Sequence, residues 1–329
     1  MPARQDHRLA RTGEHWLSLP NPHGVPAEIC AGGDVPLEPA AVDEALSLLD
    51  TAATLERLAE AVPHYAGPAP RITRLVLTPD FHKGAGIPIG TVLETENALL
   101  PQAVGNDVNC GMRLEVTTLR ADRVRPRLDA LERRLRHLFF EGGRRIALTP
   151  AQREGLLRDG LPGLLLTGDA PRQGVRPDDA GDRVVHRKGA TPAGGHAETA
   201  GGPYAMWGEP VIVPGSMGAA SFVLRGHGSP RTLSSACHGA GRRVPRGAAA
   251  RGNDAELDAF LRDFRVVTPL DHRDPGVARR PDVIDAWRRD LKQEAPWAYK
   301  DIGPVVAGLH GGGVASPVAE LRPLLTVKG

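Results

Sequence analysis

The apolar runs of this chain are short, and the stretches between them are dense in glycine and proline; that alternation most limits the folds open to it. Runs of four to eight apolar or β-branched residues bounded by turn formers read as strands, and longer stretches with apolar residues every three to four positions read as helices. Arg74–Leu77, Ile87–Leu93, Met112–Thr117, Arg183–His186 and Pro210–Val213 predict strands, and the tail Leu321–Gly329 is strand-like. Residues 40–62 predict one amphipathic helix, with Ala45, Leu48, Ala52, Leu55, Leu58 and Val62 on its inner face. A second, basic helix runs from Pro126 to Phe140 with Leu128, Leu131, Leu135 and Leu138 on one side, its arginines reading as a solvated face. Helical segments over 257–293 are broken by Pro269, Pro275 and Pro281, and Thr167–Asp182 reads as an exposed loop. Strands interleaved with helices in this way predict a single α+β domain. It divides into an N-terminal segment (1–70), a region around a Gly-bounded Asp/Cys loop (71–120), an insert (121–182) and a C-terminal region (183–329).

Only three cysteines occur, Cys30, Cys110 and Cys237, which argues against a disulfide framework and for a buried thiol or a metal-ligating thiolate. No apolar run reaches the ~18 residues of a membrane span, so the chain reads as cytoplasmic and without a membrane partner. The net charge of +2 does not by itself call for a nucleic acid. Of 41 Lys+Arg, five are lysines: Lys83, Lys188, Lys292, Lys300 and Lys328. In a chain that otherwise uses arginine for positive charge, a retained lysine points to a place needing a compact ammonium, or is chance in so small a sample.

Four segments carry candidate chemistry. Asp107 and Cys110, three residues apart in Gly105-Asn106-Asp107-Val108-Asn109-Cys110-Gly111, offer a carboxylate and a thiolate to a borderline-soft divalent ion. A buried cysteine beside a turn-forming aspartate accounts for the same pair. The strand at Arg74–Leu77 leads into a loop, Thr78–Gly84, and in Asp80-Phe81-His82-Lys83-Gly84-Ala85-Gly86 the glycines allow close approach of backbone to an anion, or His82 is a loop histidine satisfied by the backbone. Pro214-Gly215-Ser216-Met217-Gly218-Ala219-Ala220-Ser221 follows a strand, and its amides and hydroxyls suit a phosphate or a base, or equally an ordinary turn. His238 stands in Ser235-Ala236-Cys237-His238-Gly239-Ala240-Gly241-Arg242, uncrowded by its glycines, with Arg242 spaced to meet a phosphate oxygen. A neutral imidazole is a competent nucleophile towards phosphorus; a loop histidine is the competing reading.

Taken together, Pro79–Leu114, Val185–Thr191, Pro210–Leu224, Ser235–Arg242 and Glu294–Lys328 resemble, in the same order, the RtcB family of GTP-dependent RNA ligases. The most specific parts are the Asp107–Cys110 loop, Cys237–Arg242, Glu294-Ala295-Pro296-Trp297-Ala298-Tyr299-Lys300-Asp301 and the closing Val327-Lys328-Gly329. The resemblance implies mixed β-sheets wrapped by helices around a central cleft. It implies that His238 attacks the α-phosphorus of GTP to form a histidine–GMP phosphoramidate. The GMP then passes to an RNA 3′-phosphate (or an end derived from a 2′,3′-cyclic phosphate), and a 5′-hydroxyl displaces it, the chemistry of RNA repair and tRNA splicing. Ser216, Ser221, Gly239, Ala240, Gly241, Arg242, Tyr299 and Lys328 are the implied nucleotide contacts, and Asp107 and Cys110 the implied manganese ligands. RNA ends, guanine nucleotide and an archease-type activator are the implied partners.

The chain departs from the family in one respect. Family members carry a long central block whose histidines complete the metal shells, whereas here Cys110 and His186 stand 76 positions apart with His137 the sole histidine between them. Asp107 and Cys110 are fewer ligands than a tight transition-metal site uses. Two expectations follow: a ligase with a minimal or rebuilt metal site, or a paralogue without ligase activity that binds guanine nucleotide or RNA ends.

Overall fold

The computed structural model describes residues 6–62, 68–105, 112, 114–142, 148–159 and 183–329. Strands β1 (Ala10–Gly13), β2 (Trp16–Ser18), β3 (Ala27–Cys30), β4 (Arg71–His82), β5 (Ile89–Glu96) and β6 (Arg183–Lys188) lie side by side in that order in one six-stranded sheet. All neighbours are antiparallel except β3 and β4, which are parallel and joined through the helices Pro39–Leu49 and Thr51–Ala61. A parallel pair needs such a crossover, because a tight turn only reverses the chain.

From Leu75 to His82 every residue of β4 is buried, as expected for a central strand covered on both faces. Successive side chains go to opposite sides. Leu75 and Leu77 pack with Ile29, Leu93, Ala41, Val42, Ala45 and Leu49 in one core. Val76 joins Val92, Val211, Val213, Leu224, Val305, Val306 and Leu309 in another. That second core is closed by the helix Ile302–Gly311 and by a three-stranded antiparallel sheet of β8 (Pro210–Val213), β9 (Ser221–Gly226) and β12 (Ala315–Leu321) in the order β12-β9-β8. A short antiparallel pair, β7 (Ala190–Pro192) with β10 (Ser235–Cys237), lies in the same unit.

Contacts group the chain into two compact units. The first takes in Met1–Val116, Val175–Phe264 and Pro281–Leu324; the second takes in Thr117–Gly174, Arg265–Arg280 and Leu325–Gly329. In the second, β11 (Val266–Val267) pairs in parallel with β13 (Thr326–Val327), and the helix Leu128–Phe140 contributes a buried ion-pair cluster. Glu132 there is 4% exposed and receives Arg136 and Arg265, each at 3.0 Å, and Arg273. Together the sheets and helices form a mixed α+β architecture with no closed barrel among the described residues. No helix of the described residues is long and apolar enough to cross a membrane.

Several local expectations change. The helix expected over 40–62 is two helices meeting at Asp50, and only Ala52 of the second is buried, leaving Leu58 and Val62 exposed. Residues 112 and 114–117 form no strand; Leu114 and Val116 are exposed and have no sheet to cover them. The basic helix begins at Leu128 after a 3-10 turn holding Pro126. Its buried residues are Glu132 and Arg136 in place of the leucine stripe, because paired charges fill that side. Pro275 and Pro281 open helices (Pro275–Ala278, Pro281–Glu294) where they were expected to break them, since a first-turn proline forfeits no hydrogen bond. The Asp107–Cys110 loop and Thr167–Asp182 lie outside the described residues.

Candidate active site

Residues 78–82 read as a loop in the sequence and are strand in the structure. β4 runs through Pro79 to His82, with its pairing to β5 interrupted between Leu77 and His82. Proline supplies no N–H to a ladder, so the register slips where Pro79 sits. This irregular strand end carries Asp80, whose side chain is wholly buried. Thr78 Oγ1 lies 2.6 Å from Asp80 Oδ1 and 3.0 Å from the Gly90 carbonyl.

His238 follows β10, whose three residues are all buried, and so leaves the core at a fixed point. Its ring is partly exposed, and Nδ1 lies 3.2 Å from Asp80 Oδ2. Since a carboxylate accepts only, this contact calls for a proton on the ring's Nδ1. Two glycines permit the approach. Gly241 has φ +74°, and a Cβ there would stand 2.1 Å from the Asp80 carbonyl oxygen. Gly189 has φ +71°, and a Cβ there would stand 3.2 Å from His238 Cε1. Both positions combine a left-handed backbone with no room for a side chain.

Behind Asp80 lies Lys300, 5% exposed, donating from Nζ to the carbonyls of Phe81 (2.6 Å) and Pro79 (3.2 Å). Burial pulls its ammonium down to about 8, against opposing pulls from Asp80, Glu38 and Cys237. The Lys300 amide donates to the Gly241 carbonyl at 2.9 Å, so one residue ties the His238 loop to β4.

Several of the other candidate residues adjoin the His238 loop. The turn after β8 meets the His238 loop where the Ala240 amide donates to the Pro214 carbonyl at 3.1 Å. Within that turn Ser221 Oγ accepts the Gly215 amide at 3.1 Å, and the Ser216 carbonyl accepts the Ala219 amide. Gly239 sits against Pro214, and Ala240 and Gly241 are buried. Arg242 bridges to Tyr299 through the backbone and lies over its ring, 4.7 Å from guanidinium carbon to centroid. Its Nη2 donates to Glu294 Oε1 at 2.9 Å, and Nη1 is buried with no hydrogen-bond partner among the described residues. Tyr299 donates its hydroxyl to Glu294, and burial, followed by that bond, pushes the phenol up to about 12. Lys328 belongs to the second unit, its amide donating to the Val267 carbonyl at 2.8 Å.

The metal candidates Asp107 and Cys110 lie outside the described residues. Among the described residues no group of three His, Cys, Asp or Glu side chains is placed to hold a metal ion. His186 accepts the Leu100 amide on Nε2 at 3.0 Å and faces the Leu93 carbonyl with Nδ1, so backbone groups occupy both ring nitrogens. His82 donates from Nδ1 to the Asp80 carbonyl at 2.9 Å, and burial lowers its pKa. Cys30 and Cys237 are free, buried thiols, with Cys30 pushed up to about 12 by burial. The described donors therefore do not make up a metal shell.

Asp80, Thr78, Glu294 and the inner role of Lys300 were not singled out from sequence. Asp80 and Lys300 stood inside motifs, but 158 positions separate Asp80 from His238, and spacing carries no sign of their contact.

A family model described as tRNA-splicing ligase RtcB matches residues 66–163 and 176–329. The chain is 43% identical over 150 residues to a protein of Thermococcus kodakarensis named tRNA-splicing ligase RtcB, covering 44% of this chain and 28% of that one. It is 37% identical over 151 residues to a protein of the same name from Nanoarchaeum equitans, covering 44% and 28%. To the RNA-splicing ligase RtcB of Mycobacterium tuberculosis it is 39% identical over 148 residues, covering 44% and 31%. The matched part of the chain thus spans less than a third of the length of each of these relatives.

Proposed function

We propose that this chain, which belongs to the RtcB family, is an RNA ligase that joins a 3′-phosphate end to a 5′-hydroxyl end with GTP. The observation that carries this reading is the contact between His238 Nδ1 and the buried Asp80 carboxylate at 3.2 Å. With its proton held on Nδ1 by Asp80, the neutral ring offers its lone pair on Nε2, the form a phosphorus nucleophile needs. In the first step Nε2 bonds to the α-phosphorus of GTP, the α–β bridging P–O bond breaks, and pyrophosphate leaves. The Nδ1 proton stays between the ring and Asp80, whose negative charge balances the imidazolium as it forms. The RNA 3′-phosphate oxygen then takes GMP from His238, and the 5′-hydroxyl displaces GMP to form the phosphodiester.

The nucleotide contacts of this reading are Ser216, Ser221, Gly239, Ala240, Gly241, Arg242 and Tyr299 in the first unit; Lys328 is a further contact that the family resemblance implies. Support comes from Arg242, whose buried Nη1 has no partner among the described residues. A buried donor left unpaired is costly unless a ligand meets it. The ion of this reading would be manganese, held by Asp107 and Cys110 in an incomplete shell and stabilising the charge of the departing pyrophosphate. RNA ends and an archease-type activator are its partners, in the cytoplasm.

The test is incubation with α-labelled GTP and Mn²⁺, followed by denaturing gel and acid treatment. Acid-labile label on the wild-type chain that disappears in His238→Ala and on chelation is expected. Label that survives His238→Ala overturns the nucleophile. Bound but never covalent GTP supports the ligase-inactive, nucleotide-binding paralogue instead.

A further inference from the structure

We propose that Lys300 is a positioning residue for His238, acting through Asp80; this rests on the reading of His238 as the nucleophile. Three observations lead there independently. The ammonium donates to the carbonyls of Pro79 and Phe81, the residues immediately before and after Asp80. It lies 4.9 Å from the centre of the Phe81 ring, which confines it from a third direction. The Lys300 amide also holds the Gly241 carbonyl, three residues beyond His238. One residue therefore fixes the carboxylate that orients the ring and the loop that carries it.

Charge makes the same point. Asp80 is wholly buried, and its side chain meets the Thr78 hydroxyl and the His238 ring. A buried carboxylate with these two polar neighbours among the described residues is costly without a nearby cation. The ionisable groups facing Lys300 are Asp80 from β4, Glu38 from the segment before the helix Pro39–Leu49, Cys237 from β10, and His82 farther along β4. Lys300 is the cation among them. By balancing Asp80 it keeps that carboxylate the acceptor, so the proton stays on His238 Nδ1 and the lone pair on Nε2. A lysine suits the place better than an arginine. Its tetrahedral ammonium reaches two carbonyls flanking one residue, whereas a planar fork needs a wider space. That accounts for a lysine in a chain where arginine supplies 36 of 41 basic residues, five being lysine.

The experiment uses the full chain, with Lys300→Met, Asp80→Asn and the double variant. Lys292→Met serves as control, because Lys292 is equally buried and pairs with Asp254. The first readout is the imidazole ¹⁵N spectrum, with His238 assigned by its loss in His238→Ala. The wild type is expected to show a protonated Nδ1 and an unprotonated Nε2. In Lys300→Met that preference is lost, while Lys292→Met leaves it in place. The second readout is histidine guanylylation, where Lys300→Met is expected to lower the rate at saturating GTP about 100-fold, as a displaced reacting group does, and to change the half-saturating GTP less than about threefold.

The double variant decides the matter even where Lys300→Met folds poorly, since it removes both buried charges together. If Lys300 acts through Asp80, the double variant is no slower than Asp80→Asn alone. Losses that multiply overturn the proposal, as does an unchanged His238 tautomer in folded Lys300→Met. Should the wild type take no label, the ligase reading falls, while the spectrum still decides whether Lys300 sets the tautomer.

Discussion

At the scale of single residues, the site turns on which atom carries a proton. Asp80→Asn preserves the shape of the side chain but presents a group that donates as readily as it accepts, so the ring is free to settle with its proton on Nε2. In a serine protease triad the corresponding change costs about 10⁴ in rate through the wrong tautomer. A loss of about 10²–10⁴ in label transfer is expected here, with the folded circular dichroism spectrum retained. Tyr299→Phe tests a different bond. It removes the hydroxyl that donates to Glu294 and leaves Arg242 as that carboxylate's remaining partner within the trio. A stability loss of about 1 kcal/mol, the usual worth of such a bond, is expected in urea unfolding.

At the scale of elements, the decisive feature is where loops are allowed to touch strands. The turn at 239–241 reaches β4 because Gly241 takes a left-handed backbone beside the Asp80 carbonyl. Gly241→Ala imposes both backbone strain of about 1–3 kcal/mol and a collision, and is expected to lower stability and to slow label transfer together. In the second unit, Asp271 draws its importance from arginines. Its hydrogen bond to Arg273 comes first and the charge of Arg136 adds to it, lowering the carboxyl to about 2 from an ordinary 3.8. The folded form then binds the proton less readily than the unfolded form. The stabilisation is present above the unfolded value and is lost as pH falls through about 2. Asp271→Asn is therefore expected to be less stable than the wild type near pH 7. That gap closes as denaturation is measured at successively lower pH, between about 4 and 2.

At the scale of the whole molecule, the buried thiols report on global opening. Cys30 and Cys237 sit in the core of the first unit, and burial raises both thiols. Neither is expected to react with a thiol reagent such as DTNB in the native chain at neutral pH, and both react after unfolding. Rapid native labelling of either residue, located by peptide mapping, contradicts this packing. Sequence reading recovered β6 and β8 nearly to the residue, because short apolar runs bounded by turn formers leave little choice. It missed the length of β4, because Thr78, Pro79, Asp80 and His82 are polar or ladder-breaking residues that look like a loop when their burial is unknown. It placed leucines inside the basic helix because periodicity does not show that Glu132 is neutralised by three arginines, two of them from a segment more than 130 positions away.

What the sequence determined by itself was the set of local motifs and their order: the glycine-flanked His238, the Ser216–Ser221 turn, the Glu294–Asp301 stretch and hence the family. Motifs are local, and a histidine between small residues is legible without knowing what faces it. What only the tertiary structure decided was the partner of each group. Asp80, Lys300 and His238 meet because a central strand, an edge loop and the segment before a C-terminal helix converge on one buried place. The tautomer of His238 is a property of that convergence, since a proton is positioned by the acceptor opposite it and the sequence does not say which acceptor that is.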